Sequence, residues 1–230
     1  MSSKTVTASA TASRVALAVG IGFVVTGLTV IMALAQQSNV GDWPQWRGPE
    51  RTGISPETGL LKSWSAEGPK LLWKAEGLGN GIGTVAVVRG RVYGMSLRGE
   101  EEVVWALEAA TGKEVWCVPI TKPSQPNPGR RGAGPRSTPT VDGDRLYALG
   151  VNGELACLDI ATGKIRWQKN LVRDFGGSMP NWGYAESPLV DGEKVVVTPG
   201  GRQATLAALH KMTGETLWQA HVPEGGGAAY

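Results

Sequence analysis

The side chains with chemical potential in this 230-residue chain are few and scattered. Lys122, Arg130, Arg131 and Arg136 fall in the Gly- and Pro-rich stretch Thr121 to Pro139. Guanidinium groups there could pair in forked geometry with a carboxylated cofactor or another anionic partner. The same composition is also that of an ordinary solvated loop. Trp182, within Asn181-Trp182-Gly183-Tyr184, could stack on a planar ligand or pack on a neighbouring element. The same two roles are open to Trp43 and Trp46, in Asp42-Trp43-Pro44-Gln45-Trp46-Arg47-Gly48-Pro49: a stacking platform or a hydrophobic plug. Cys117 and Cys157 are too few for a disulfide framework, and their spacing suits neither zinc nor c-type haem attachment. Spacing assigns no carboxylate as a general base or as a metal ligand. Catalytic and cofactor-binding residues are therefore left unassigned, and no metal site is expected.

What must position these groups is a repeat. Three segments align without gaps: Ala106-Leu107-Glu108-Ala109-Ala110-Thr111-Gly112-Lys113-Glu114-Val115-Trp116, then Cys157 to Trp167, then Ala208 to Trp218. The Trp advances from 116 to 167 to 218, a period of 51 residues, which is the size of a propeller blade rather than of a short solenoid turn. Gly112, Gly163 and Gly214 each follow a Thr and supply the left-handed conformation that a tight hairpin turn demands. A second hairpin precedes each of these, in Val141-Asp142-Gly143-Asp144-Arg145 and Val190-Asp191-Gly192-Glu193-Lys194. Val88-Arg89-Gly90-Arg91 reads as the same hairpin one residue shorter. Each repeat thus predicts four short antiparallel strands. The Trp lies on the last strand, where an indole facing the next blade would bury a large area and find a partner for its N–H. Position 157 is Ala at 106 and 208, so Cys157 reads as a small core residue rather than a nucleophile. Glu108, Asp159 and His210 are equivalent positions, which makes His210 a residue at a hairpin edge rather than a ligand.

Composition agrees. There are 33 Gly and 9 Trp against 2 Phe, a balance that suits many tight turns with indoles between sheets. The net charge of +3 is small, and no run of Lys or Arg interleaved with aromatics could track a phosphate backbone, so nucleic acid is excluded as a partner. At the N-terminus, Val15 to Ala35 carries no charge, follows a leader whose charges are Lys4 and Arg14, and ends in Ala33-Leu34-Ala35. That order is that of a signal peptide with an A-x-A cleavage site. The apolar run is also long enough to span a bilayer as an uncleaved anchor through residues 15–35. Either way the bulk of the chain is expected outside the cytoplasmic membrane. The expected division is a leader or anchor over 1–35, an exported lead-in over 36–68 and the repeats over 69–230.

The pattern small-Leu-Asp-x-x-Thr-Gly-Lys-x-x-Trp resembles the pyrroloquinoline-quinone (PQQ) repeat of quinoprotein dehydrogenases. The same repeat occurs in non-catalytic bacterial propellers of the BamB-like superfamily. The resemblance implies an all-β propeller of four-stranded antiparallel blades, about three of them in this chain, preceded by the apolar N-terminal helix. Because the family closes its blades into a ring, it also implies that the chain is an N-terminal fragment with an incomplete ring. Pro69 to Trp73 resembles the isolated fourth strand that completes the last blade in such rings. The dehydrogenases of the family use a calcium-bound quinone, a carboxylate base and often a vicinal cysteine pair. No adjacent cysteines and no Cys-x-x-Cys-His occur here. Two readings follow. One is a binding or scaffold module taking a protein, glycan or small-molecule ligand outside the cytoplasmic membrane. The alternative is part of a PQQ- and calcium-dependent alcohol or sugar dehydrogenase.

Overall fold

Twelve strands in three separate sheets account for almost all the regular structure of the computed structural model, which describes residues 41–121, 134–223 and 227. The first sheet runs β1 (Ala86–Val88), β2 (Arg91–Arg98), β3 (Glu101–Glu108) and β4 (Glu114–Pro119). The second is β5 (Thr140–Asp142), β6 (Arg145–Leu149), β7 (Glu154–Asp159) and β8 (Ile165–Asn170). The third is β9 (Leu189–Asp191), β10 (Lys194–Val197), β11 (Leu206–His210) and β12 (Thr216–Ala220). Each sheet is an antiparallel meander with its strands in chain order, so each 51-residue repeat is one blade. The first strands neighbour one another from blade to blade, β1 beside β5 and β5 beside β9, which makes them the inner strands of the array.

The two hairpins of each blade are closed as the sequence requires, with one difference. In the turn between the third and fourth strands the amide of Gly112, Gly163 or Gly214 donates to the carbonyl four residues back at 2.8 Å, with φ of 72 to 74°. A register shift before this turn recurs at Ala106/Leu107, Cys157/Leu158 and Ala208/Leu209. The first hairpin has a two-residue loop in every blade, because Val88 pairs Arg91, Asp142 pairs Arg145 and Asp191 pairs Lys194. Blade 1 is therefore not one residue shorter. It differs in turn geometry: Arg89 and Gly90 both have positive φ, whereas in the other blades only Gly143 and Gly192 do. Two positive values are those of a type I′ turn, and one at the first position is that of a type II′ turn.

Alternation along the strands builds a core in each joint between blades and, among the described residues, a smaller third one of Val103, Trp105 and Leu107 on the other face of blade 1, with Ala75 and Leu78 packed on it. Tyr93, Met95, Val104 and Ala106 of blade 1 meet Leu146, Ala148, Ala156 and Leu158 of blade 2. The opposite face of blade 2, with Tyr147, Leu149, Leu155 and Cys157, meets Val195, Val197, Ala207 and Leu209 of blade 3. Each fully buried aliphatic or aromatic side chain stabilises by roughly 1.5–3 kcal/mol.

The isolated strand expected at Pro69 to Trp73 is not formed, and Leu71 and Leu72 are exposed, since no strand among the described residues lies beside them to share a ladder. The apolar N-terminal stretch lies outside the described residues. Among the described residues no helix is long and apolar enough to cross a membrane. One short helix that the repeat does not announce, α1 (Leu171–Phe175), interrupts the path from β8 to β9. Asn170 caps it by accepting from the amides of Val172 and Arg173, and Gly176 ends it at φ 62°.

Candidate functional site

Chemistry-bearing side chains gather at the axis, around the inner strands. The residues just before those strands, Thr84, Thr138 and Ser187, are equivalent in the three blades. Thr84 Oγ1 and Thr138 Oγ1 are 2.8 Å apart, and the Thr138 amide donates to Ser187 Oγ at 2.9 Å. Thr140 Oγ1 donates to the Pro188 carbonyl at 2.6 Å. One position earlier the blades differ: Gly83, Ser137 and Glu186. Ser137 Oγ donates to the Leu149 carbonyl at 2.6 Å, while Glu186 Oε1 accepts from the amide of Thr198 at 2.5 Å, the residue equivalent to Leu149. Burial raises the Glu186 carboxyl above the ordinary range, opposed by its Thr198 bond and by the charge of Arg51. That arginine comes from the lead-in. Its Nη2 donates to the carbonyls of Ser187 at 3.1 Å and Pro188 at 2.8 Å, and its Nε to Gln45 Oε1 at 2.9 Å. Burial lowers the Arg51 pKa, and Glu186 opposes the shift.

The Trp at each of the two joints is part of the frame rather than of a site. Trp116 Nε1 donates to the Ile160 carbonyl at 3.1 Å and Trp167 Nε1 to that of Lys211 at 2.9 Å, each in the next blade. The indoles lie on the turn glycines: a Cβ on Gly163 would be 2.8 Å from Trp116, and one on Gly214 would be 2.7 Å from Trp167. Trp73 takes the same seat on Gly112 and donates to the Ala109 carbonyl at 2.9 Å. Behind each inter-blade indole stands a tyrosine that sequence reasoning did not single out, Tyr93 at 6.0 Å from Trp116 and Tyr147 at 6.0 Å from Trp167, between ring centroids.

The remaining sequence candidates separate. Cys157 is buried in the second joint, its thiol pushed up to about 12 by burial, so it holds no thiolate at neutral pH. The half-buried Cys117 is also raised by burial. Asp159 closes its turn by accepting from the amides of Ala161 and Thr162 and pairs with Arg166 at 2.5 Å. His210 Nδ1 accepts from the Met212 amide at 3.2 Å, a turn role. Trp182 stands 40 % exposed on a turn closed from Gly183 to Pro180, outside both joint cores. Its neighbour Tyr184 is the aromatic that enters the core, with its hydroxyl on the Pro199 carbonyl at 3.0 Å. Lys122, Arg130 and Arg131 lie outside the described residues, and Arg136 is half-buried just before β5. The Trp43 ring lies against Gly48 of its own segment, whereas Trp46 is exposed beside Arg47.

The model for the family described as outer membrane protein assembly factor BamB matches residues 49–133 and 100–229. The chain belongs to the BamB family. It is a PQQ-like repeat propeller protein, as the three blades require. The BamB of Salmonella typhimurium is 28 % identical over 141 residues, 54 % of this chain and 32 % of that protein. The BamB of Kangiella koreensis is 30 % identical over 114 residues, 49 % of this chain and 26 % of that protein. The chain thus spans about a third of the length of these relatives or less. Among solved structures, quinohemoprotein alcohol dehydrogenase from Comamonas testosteroni aligns over 84 % of this chain and 28 % of its own, with a TM-score of 0.57 and 23 % identity. A europium-containing methanol dehydrogenase aligns over 84 % and 34 %, with a TM-score of 0.59 and 19 % identity. These two likenesses are of fold.

The donor set that the described residues bring to the axis does not fit a calcium-bound quinone. Among the described residues no three His, Cys, Asp or Glu side chains come together to hold a metal. Glu186, the carboxylate at the axis, is engaged by a backbone amide, and its positive neighbour is the chain's own Arg51.

Proposed function

We propose that the chain is part of a non-catalytic β-propeller that serves as a binding or scaffold module outside the cytoplasmic membrane, with a protein as its partner. The observation that carries this reading is the BamB-family match, which runs through all three blades. The axis supports it, because the groups there are spent on holding strands together rather than left to converge on a reacting atom. The strands act as scaffold and the connections between blades as contact surface, as is general for rigid β scaffolds. Residues 1–35 serve as leader or anchor, 36–68 as lead-in and 69–230 as the propeller part.

The test has two arms. Full-length protein in intact cells is challenged with protease added outside the cytoplasmic membrane, after opening of the outer layer; degradation supports export, and survival beside a degraded exported control overturns it. Purified protein is titrated with pyrroloquinoline quinone and calcium while dye reduction by alcohols is followed. Absence of saturable binding by folded protein supports the scaffold. Saturable binding with turnover overturns it in favour of the dehydrogenase.

A further inference from the structure

Asp42 to Gly53 contacts the inner part of every blade. The Trp43 amide donates to the Val87 carbonyl at 2.7 Å and the Val87 amide returns to Trp43 at 2.9 Å, so the segment pairs with the middle of β1. Asp42 Oδ1 accepts from the Arg89 amide at 3.0 Å, holding the strained first turn of blade 1. The Pro44 carbonyl accepts from the Val141 amide of β5 at 2.8 Å. Arg51 then fastens to the Ser187 and Pro188 carbonyls at the start of blade 3. Between these points the backbone is folded tightly. Arg47 and Arg51 take left-handed φ of 63° and 54°, Gly53 donates to the Arg47 carbonyl at 2.8 Å, and Gly48 lies under the Trp43 ring. Non-glycine residues keep such φ values only where the surroundings over-determine them.

We propose that Asp42 to Gly53 is a strap that locks the three inner strands around their common axis, with Arg51 as the positioning residue that fastens it to blade 3. Without the strap, β1 would present the unpaired amide and carbonyl of Val87 as an open edge, a template for other strands. The planar guanidinium suits the task because it serves two carbonyls and the Gln45 amide oxygen at once, which an ammonium on a flexible stem does not. The strap rests on these contacts alone and stands or falls separately from the choice of partner.

Amide hydrogen exchange on the full chain, comparing wild type with R51A, R51K and Q45A, tests it. The amides of Val87, Arg89 and Val141 all donate to strap acceptors. In R51A they are expected to exchange about tenfold faster, the change that follows from losing bonds to a charged donor. Amides in the ladder between β10 and β11 keep their rates. R51K recovers part of the protection, and Q45A, which removes the acceptor that orients Arg51 together with the Gln45 Nε2 bond to the Pro49 carbonyl within the strap, shifts the same amides by a smaller factor. If R51A does not fold, R51K and Q45A carry the comparison. Unchanged rates at the three amides in folded variants overturn the proposal. So does uniform acceleration across all blades, which would make Arg51 a general stabiliser rather than the fastening of a strap.

Discussion

At the residue scale, the decisive contacts are indoles seated on turn glycines. Replacing Trp116 by Phe keeps most of the buried area and removes the bond to the Ile160 carbonyl, an expected cost of about 1 kcal/mol in chemical denaturation. Replacing it by Ala also opens a cavity in the first joint and is expected to cost roughly 3–5 kcal/mol. Gly163 and Gly143 separate two effects that conservation of a glycine would merge. Both have positive φ, but a Cβ at Gly163 meets the Trp116 ring, whereas one at Gly143 meets nothing within 4 Å. G143A is expected to lose about 1 kcal/mol from backbone strain alone, and G163A at least about twice that, read from the same denaturation curves. Asp159 gives a pH signature. Its bonds to Arg166 and Thr162 hold its carboxyl down to about 2 from an ordinary 3.8. A depressed folded value means stability that is present above 3.8 and is lost as pH falls toward 2. The stability of wild type should therefore fall more steeply than that of D159N across this window, and equal slopes would remove Asp159 from the account.

At the element scale, the twelve strands were legible because each is bounded by a turn whose chemistry is local: Thr-Gly after the third strand, a glycine within the first hairpin. The difference in blade 1, which reads in sequence as a missing residue, is one of turn geometry: both loop residues are left-handed and the first is Arg89. Asn visits that conformation more readily than Arg. R89N is therefore expected to stabilise by roughly 0.5–1 kcal/mol, with the amide bond to Asp42 retained, and a loss of stability in calorimetry would show that the Arg side chain contributes more than its strain costs. The axis was not legible. Arg51 meets carbonyls 136 and 137 residues away, through contacts from a side chain to backbone. Such contacts place no constraint on the partner's side chain and so leave no pattern in sequence. Glu186 is hidden for a related reason, since its equivalents are Gly83 and Ser137 and the repeat conceals rather than marks it. Tyr93 and Tyr147 were visible in sequence as strand residues, but blade 3 carries Val196 at that position, which broke the pattern that would have paired them with the indoles.

At the scale of the whole molecule, blade 2 is the shared wall of two cores that do not touch. Leu158 faces blade 1, with Tyr93, Ala106 and Trp116, while Leu149 faces blade 3, with Val195, Val197 and Leu209. Stability in such an array is a sum of blade terms and nearest-neighbour joints. Removing either leucine is expected to cost roughly 2–5 kcal/mol, since both are fully buried. Because the two side chains share no partner, a double-mutant cycle of L149A and L158A should give a coupling below about 0.5 kcal/mol. A coupling well above that value would mean that the sheet of blade 2 transmits strain from one face to the other. Blade orientation would then depend on both joints at once, rather than on each joint together with the lead-in at the axis. The third face tells the same story by contrast: Trp218 stands 40 % exposed where its equivalents Trp116 and Trp167 lie on a glycine of the following blade. The indole is therefore seated by the neighbouring blade and not by its own sheet, and the joint, not the blade, is the unit that a ligand or partner must displace to move one blade against another.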